Sequence, residues 1–189
     1  MDVLALHGLA LDEFGRRVRA VGDEQWYAPT PCTRWNVRAL VNHLTTEQLW
    51  VVPLLRGATV ADVGARFDGD QLGADPLGSW QRAAGTARAA FVAAQPLADH
   101  PVRMSARRQV SAAHYCREMT CDLTIHAWDL ARACNTSERL DRSLVDAVYR
   151  WTLPHAGALA TSGLVDPPVP VSDTAGPQAR LLALFGRRA

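Results

Sequence analysis

The stretch His114–Asn135 constrains this chain more than any other. Its residues, H-Y-C-R-E-M-T-C-D-L-T-I-H-A-W-D-L-A-R-A-C-N, include neither Gly nor Pro, and apolar side chains recur at helical spacing, which predicts one long helix. At a rotation of about 100° per residue, Tyr115, Glu118, Met119, Asp122, His126, Asp129 and Ala133 share a face. A face that only filled a core would carry Leu, Val and Ala. This one carries three carboxylates and a histidine among apolar neighbours, and buried charge is costly unless it is paired or bound to metal. Asp122 and His126 lie four residues apart, so they stack one turn above the other and can converge on one ion.

The rest of the chain supplies helices to pack against this one. Val3, Leu4, Leu6, Leu9, Leu11, Phe14, Val18 and Val21 form an apolar stripe whose polar side is Asp12, Glu13, Arg16, Arg17 and Arg19. The segment W-Y-A-P-T-P-C-T-R-W (26–35) interrupts it, because two prolines in three residues demand an extended turn. A second helix is expected to start at an N-cap on Thr33, carry Val37, Leu40, Val41 and Leu44, and run until Pro53 disturbs it. His43 sits at the edge of that stripe, about 60° from Leu40. Residues 57–78, with five scattered glycines, read as a loop with a short helical turn at 60–66.

A third helix is predicted over 77–94, with Trp80, Ala87 and Phe91 inside and Pro96 beyond its end. The central helix should then run from Arg107 to Ala133 and stop at Cys134-Asn135, Asn tolerating the left-handed cap conformation. Asp141 is placed to cap a helix over 142–161, kinked or split at Pro154. The run D-P-P-V-P-V-S-D-T-A-G-P is an extended tail, and 178–185 a short terminal helix. Four long helices and few alternating segments predict an all-α protein, a four-helix bundle forming a single domain over 1–189.

Composition removes several function classes. The net charge is +1, which gives no general attraction to nucleic acid or an anionic membrane. All 20 basic residues are Arg, so neither a Schiff-base lysine nor a P-loop lysine exists. No uncharged apolar run reaches about 18 residues, the length that spans a bilayer. The start M-D-V-L-A-L-H-G lacks the basic residues and apolar core of a secretory signal, so a cytoplasmic protein is expected. Cys32, Cys116, Cys121 and Cys134 form no C-x-x-C pair and read as reduced, mostly buried thiols. No Ser-His-Asp triad can be argued from spacing alone.

The chemistry-bearing constellation is therefore His43 with Asp122 and His126, the third ligand coming from a second helix as bundle sites require. Glu118, four residues before Asp122, could take its place. Asp129, three after His126, could orient a ligand from behind or pair with Arg34 or Arg132. His7, His100, His114 and His155 fall outside the pattern and are read as structural or exposed, and the six tryptophans as mostly core. Two imidazoles and one carboxylate leave a coordination position open, the arrangement of a catalytic zinc site. Nickel and iron accept the same donors.

Four segments carry a family resemblance: P-C-T-R-W-N-V-R-A-L-V-N-H-L at 31–44, G-D-Q-L-G-A-D-P at 69–76, D-L-T-I-H-A-W-D-L-A-R-A at 122–133 and L-L-A-L-F-G-R-R at 181–188. Together they resemble the actinobacterial DinB-like metal-binding proteins related to mycothiol-dependent maleylpyruvate isomerase. The resemblance implies a four-helix bundle with one divalent metal, usually zinc, at its open end, held at positions that here are His43, Asp122 and His126. The isomerase typically has Glu where this chain has Asp122, one methylene shorter. It also carries an additional C-terminal domain that this chain, at its length, is expected to lack.

The activity implied is that of a thiol S-transferase or isomerase-like enzyme. Its partners would be a low-molecular-weight thiol, mycothiol, and an electrophilic small molecule. The alternatives are a non-enzymatic metal- or ligand-binding bundle, or a bundle in which Asp122 and His126 only hydrogen-bond to each other. Loops 22–34, 54–78 and 95–107 are expected to shape the mouth, and apolar residues on the outer helices are compatible with a homodimer.

Overall fold

Short polar side chains start nearly every long helix. In the computed structural model, which describes residues 1–105 and 107–189, Asp2 accepts from the amide of Ala5 (2.8 Å) and opens α1, Val3–Arg19. Arg16, Arg17 and Arg19 in its last turn complement the helix dipole. Asn36, not Thr33, caps α2, Val37–Leu55, through the amide of Ala39 (2.9 Å). The reason lies in the preceding turn. Thr30 Oγ1 donates to the carbonyls of Cys32 and Trp35, while Val37 and Arg38 donate back to Ala28 and Trp26. Thr33 is thus held inside a closed loop and cannot start a helix.

Pro53 is tolerated near the end of α2, which stops at Leu55. A short α3, Val60–Val63, capped by Thr59, leads through a 3₁₀ turn into the loop that precedes α4, Pro76–Ala93, capped by Asp75. Pro76 at the first helical position supplies a preset φ and lacks only an amide that would have no partner there.

The central helix begins later than expected. Residues Pro101–Arg103 (β1) and Gln109–Ser111 (β2) form a small antiparallel hairpin, with Val102 facing Val110 and fully buried. Ser111 then caps α5, Ala112–Ala133, accepting from the His114 amide at 3.2 Å. Alternation too short to read in sequence removes the predicted first turn from Arg107. The far end matches expectation: Asn135 has φ 54. The predicted helix over 142–161 divides at Pro154 into α6, Arg142–Thr152, a 3₁₀ turn, and α7, Ala156–Thr161. An extended tail leads to α8, Pro177–Leu184.

Polar contacts between helix ends set the directions. Cys116 Sγ meets the Val3 carbonyl near both N-termini, and Arg17 reaches the carbonyls of Ser137 and Arg139 beyond the end of α5, so α1 and α5 run together. The loop after α3 returns to the start of α2, where Arg38 binds Asp70 (2.7 Å) and Asn42 binds Gly69, so α4 runs alongside α2. His100, just before the hairpin, holds the carbonyl of Leu55 (2.8 Å), which brings the start of α5 to the end of α2. The result is an all-α, DinB-like four-helix bundle ordered up, down, down, up. Phe14, Leu40, Leu44, Trp80, Leu123, Trp128 and Leu130 fill its core, together with Leu144, Val148, Leu181 and Leu182 from α6 and α8. A second cluster, with Val51, Leu54, Phe91, Val102, Tyr115 and Met119, fills the end near the hairpin. No helix among the described residues is long and apolar enough to cross a membrane.

Candidate metal centre

Because α2 and α5 are antiparallel neighbours, His43 in the first half of α2 meets the middle of α5. His43 Nε2 lies 3.1 Å from Asp122 Oδ2, and His126 Nε2 lies 3.4 Å from Asp122 Oδ1. One donor atom from each residue falls within 4.8 Å of the others. The two imidazole rings are edge to face, centroids 5.6 Å apart. Tetrahedral zinc with bonds of about 2.0–2.2 Å needs donors roughly 3.3 Å apart. The two contacts to Asp122, one on each carboxylate oxygen, lie near that separation, and two imidazoles with one carboxylate are the donor types that a small divalent cation takes. Side chains of His43 and Asp122 are 27% and 36% exposed, which opens the cluster to solvent on one side. Two surface cavities of about 440 and 470 Å³, both beside α1, do not border these residues.

The buried side of the centre is built to hold His126. Asp129 Oδ2 accepts from His126 Nδ1 at 2.9 Å, which turns Nε2 toward Asp122 and His43, where its lone pair would be free for a cation once the Nε2 proton is displaced. Asp129 is completely buried, and Arg187 grips it with Nε on Oδ1 (3.1 Å) and Nη2 on Oδ2 (2.8 Å). The expected partners Arg34 and Arg132 are engaged elsewhere. Arg132 stacks 4.3 Å over Trp128 and pairs with Glu138, and Arg34 reaches the carbonyl of Leu164. Asp129 lies in the core, while Arg34 is exposed and Arg132 is committed to Trp128 and Glu138.

The electrostatics are those of a charged cluster whose inner members, His126 and Asp129, are buried. Burial pushes the Asp122 carboxyl up, but the charge of His126 and hydrogen bonds from His126 and His43 overcome this and hold it well below the usual carboxylate range. Burial likewise depresses His126, and the Asp122 and Asp129 carboxylates outweigh it, raising the imidazole to about 10. Asp129 is lowered: burial opposes its charge, while His126 and Arg187 favour it. A cation in the cluster would take the proton's place among the same anionic groups.

Glu118, the sequence alternative to Asp122, is not part of the cluster. It pairs at the surface with His114 and Arg108, each at 3.2 Å. Among the other histidines, His7 is buried against Phe91, His100 ties down Leu55, and His114 and His155 are exposed. Within the expected mouth loop 95–107, His100 docks on Leu55, 12 residues and about 18 Å along α2 from His43.

Two residues near the centre were missed by the sequence reading. Trp35 is not core. Its ring stacks on His43 (centroids 4.4 Å, planes 25° apart) and leans on His126 (5.4 Å). Its position just before the Asn36 cap becomes informative only once the cap is located. Glu47, by contrast, left a readable signal, because it stands four residues after His43 on the same helix, as Asp122 and His126 do on theirs. Burial, and then the negative charge of Asp122, raise the Glu47 carboxyl to about 7.

This geometry meets the comparisons with known proteins. Residues 7–131 match the mycothiol maleylpyruvate isomerase N-terminal domain. The chain belongs to that family. Uncharacterized proteins of Mycobacterium tuberculosis, from strains CDC 1551 and H37Rv, are 31% identical to it over 202 residues, covering 99% of this chain and 98% of each relative. No solved structure matches it. All three clustered residues, Trp35 and Asp129 lie within the family-matched part, whereas Arg187 lies outside it.

Proposed function

We propose that the protein binds one divalent cation, zinc in the first instance, through His43, Asp122 and His126, and activates a low-molecular-weight thiol for attack on an electrophilic small molecule. The observation that supports this most directly is the convergence of three donor atoms from two helices, with the remaining nitrogen of His126 already committed to Asp129. Membership in the isomerase family points to mycothiol as the thiol. When bound, the cation would lower the thiol pKa and so favour thiolate, the reactive nucleophile.

The chain's own residues divide the remaining work. Asp129 and Arg187 fix the imidazole of His126, and Trp35 braces that of His43. Asp122 offers an ionised oxygen between them. Glu47, one turn along α2 and titrating near neutrality, is the group suited to take the thiol proton on its carboxylate and return it to the product. No protein nucleophile is required: Cys116 and Cys121 are pushed by burial to about 12 and remain thiols.

Metal analysis of purified protein tests the first half. About one divalent ion per chain is expected in the wild type and little in His43→Ala, and equal substoichiometric metal in both would refute the site. The second half is tested with metal-loaded protein, by following thioether formation from mycothiol, glutathione or cysteine with a model electrophile. Metal without turnover of any thiol would favour a binding module over an enzyme.

A further inference from the structure

Asp129 is a carboxylate without solvent, and a buried charge persists only with full compensation. Its compensation comes from 58 residues away in sequence. All three guanidinium nitrogens of Arg187 are used: Nε and Nη2 form a fork on Asp129, and Nη1 binds Asp166 (3.2 Å) and the carbonyl of Phe185 (2.6 Å). Lysine could not reproduce that planar fork.

The backbone delivers this side chain by a defined device. At the end of α8 the amide of Arg187 bonds to Leu182 and that of Gly186 to Ala183, the two hydrogen bonds of a Schellman cap. Gly186 has φ 79, and a Cβ there would lie 2.6 Å from Asp166 and 3.0 Å from the carbonyl of Pro167. Only glycine allows both the turn and the approach. The residue after such a glycine commonly makes an apolar contact; here it is an arginine turned into the core, where it shares Asp129 Oδ2 with His126.

We propose that Arg187 is a positioning residue for the metal centre, and that docking of the C-terminal segment 164–189 is thereby coupled to cation binding at His43, Asp122 and His126. The coupling rests on the metal reading above, but its structural half does not. Arg187 holds Asp129, Asp129 holds the Nδ1–H of His126, and the Nε2 face is left aimed at the site. Linkage makes the effect reciprocal: a cation that needs His126 in this pose also favours the docked tail.

The test uses the full chain and zinc, with a chelator competition for affinity and nitrogen-15 NMR of the histidine side chains. Wild-type protein without metal is expected to show His126 as the Nδ1–H tautomer or doubly protonated, and Arg187→Ala to lose that hydrogen-bonded signature. Zinc affinity should fall about 10–100-fold in Arg187→Ala. Guanidinium ion added to that variant should recover part of the affinity, and Arg187→Lys should not match wild type. Asp166→Asn, which touches only the outer nitrogen of Arg187, should stay within about threefold of wild type, since it leaves the fork on Asp129 intact. Zinc should slow amide exchange at Gly186 and Arg187 in the wild type.

Unchanged zinc affinity and an unchanged His126 spectrum in folded Arg187→Ala would overturn the proposal. If that variant does not fold, Arg187→Lys with wild-type affinity and spectrum would overturn it equally. Failure of the wild type to bind zinc, with the His126 signature still dependent on Arg187, would sink the metal reading and the coupling while leaving the positioning role.

Discussion

The raised carboxyl of Glu47 makes the folded protein's stability depend on pH in a calculable way. In the unfolded chain Glu47 ionises near 4.5, and in the folded protein near 7, because burial and the Asp122 charge oppose its ionisation. Below the lower value both states hold the proton and Glu47 has no effect. Between the two values the unfolded state ionises first, so stability falls as pH rises, and above 7 the penalty is constant. The interval from 4.5 to 7, at about 1.4 kcal/mol per unit, corresponds to roughly 3 kcal/mol. Glu47 is only partly buried, and solvent screening reduces this to about 1–2 kcal/mol.

The perturbation is Glu47→Gln, which keeps the shape and removes the titration. Urea unfolding of metal-free wild type and variant, followed by circular dichroism from pH 4 to 8.5, gives the difference in stability at each pH. His126, Asp122 and Asp129 are common to both proteins, so the difference isolates Glu47. The two should be nearly equal at pH 4, and the variant should be more stable by about 1–2 kcal/mol above pH 7. A bound cation offsets the negative charge around Glu47, so zinc should narrow the gap. Parallel stability curves from pH 4 to 8.5 would refute the placement of Glu47 in the field of Asp122.

Other predictions concern the centre and the thiols. Asp122→Asn should lose most of the bound metal, because a neutral amide replaces the ionised oxygen between two imidazoles, whereas Asp129→Asn should keep metal with affinity down about 10–100-fold. Complete loss in both variants, with circular dichroism intact, would mean that Asp129 is itself a ligand. Trp35→Ala removes the ring stacked on His43 and should weaken zinc binding by roughly 3–10-fold; an unchanged chelator titration would show that the ring only covers the core. Cys116 and Cys121, both raised to about 12, should resist a thiol-specific reagent at pH 8 until urea is added. Immediate labelling of both in the native protein would contradict their raised pKa values and the burial of Cys116.

Much of this molecule is legible in the chain itself. Helical periodicity over residues 3–21, 37–52 and 114–133 shows where apolar stripes lie, and those stripes have few ways to be buried other than against one another. The pairing of Asp122 with His126 is local, because four residues in a helix always bring side chains together, and the same rule applied to His43 would have found Glu47. Charge on an otherwise apolar face is costly anywhere, which is why those residues stood out before any contact was known.

What tertiary structure alone decided is which separate pieces meet. The cap at Asn36 depends on a loop closed by Thr30, and the late start of α5 on the pairing of β2 with β1, which buries Val102. Trp35 reaches His43 only because that loop folds back. Asp129 takes Arg187 rather than Arg34 or Arg132, although nothing in the local pattern prefers it. An ion pair is chosen by which guanidinium can enter the core beside the carboxylate, and that depends on the path of α8 and the turn at Gly186. Contacts within one helix follow from a fixed rise and rotation per residue, whereas contacts between segments follow from how the whole core closes.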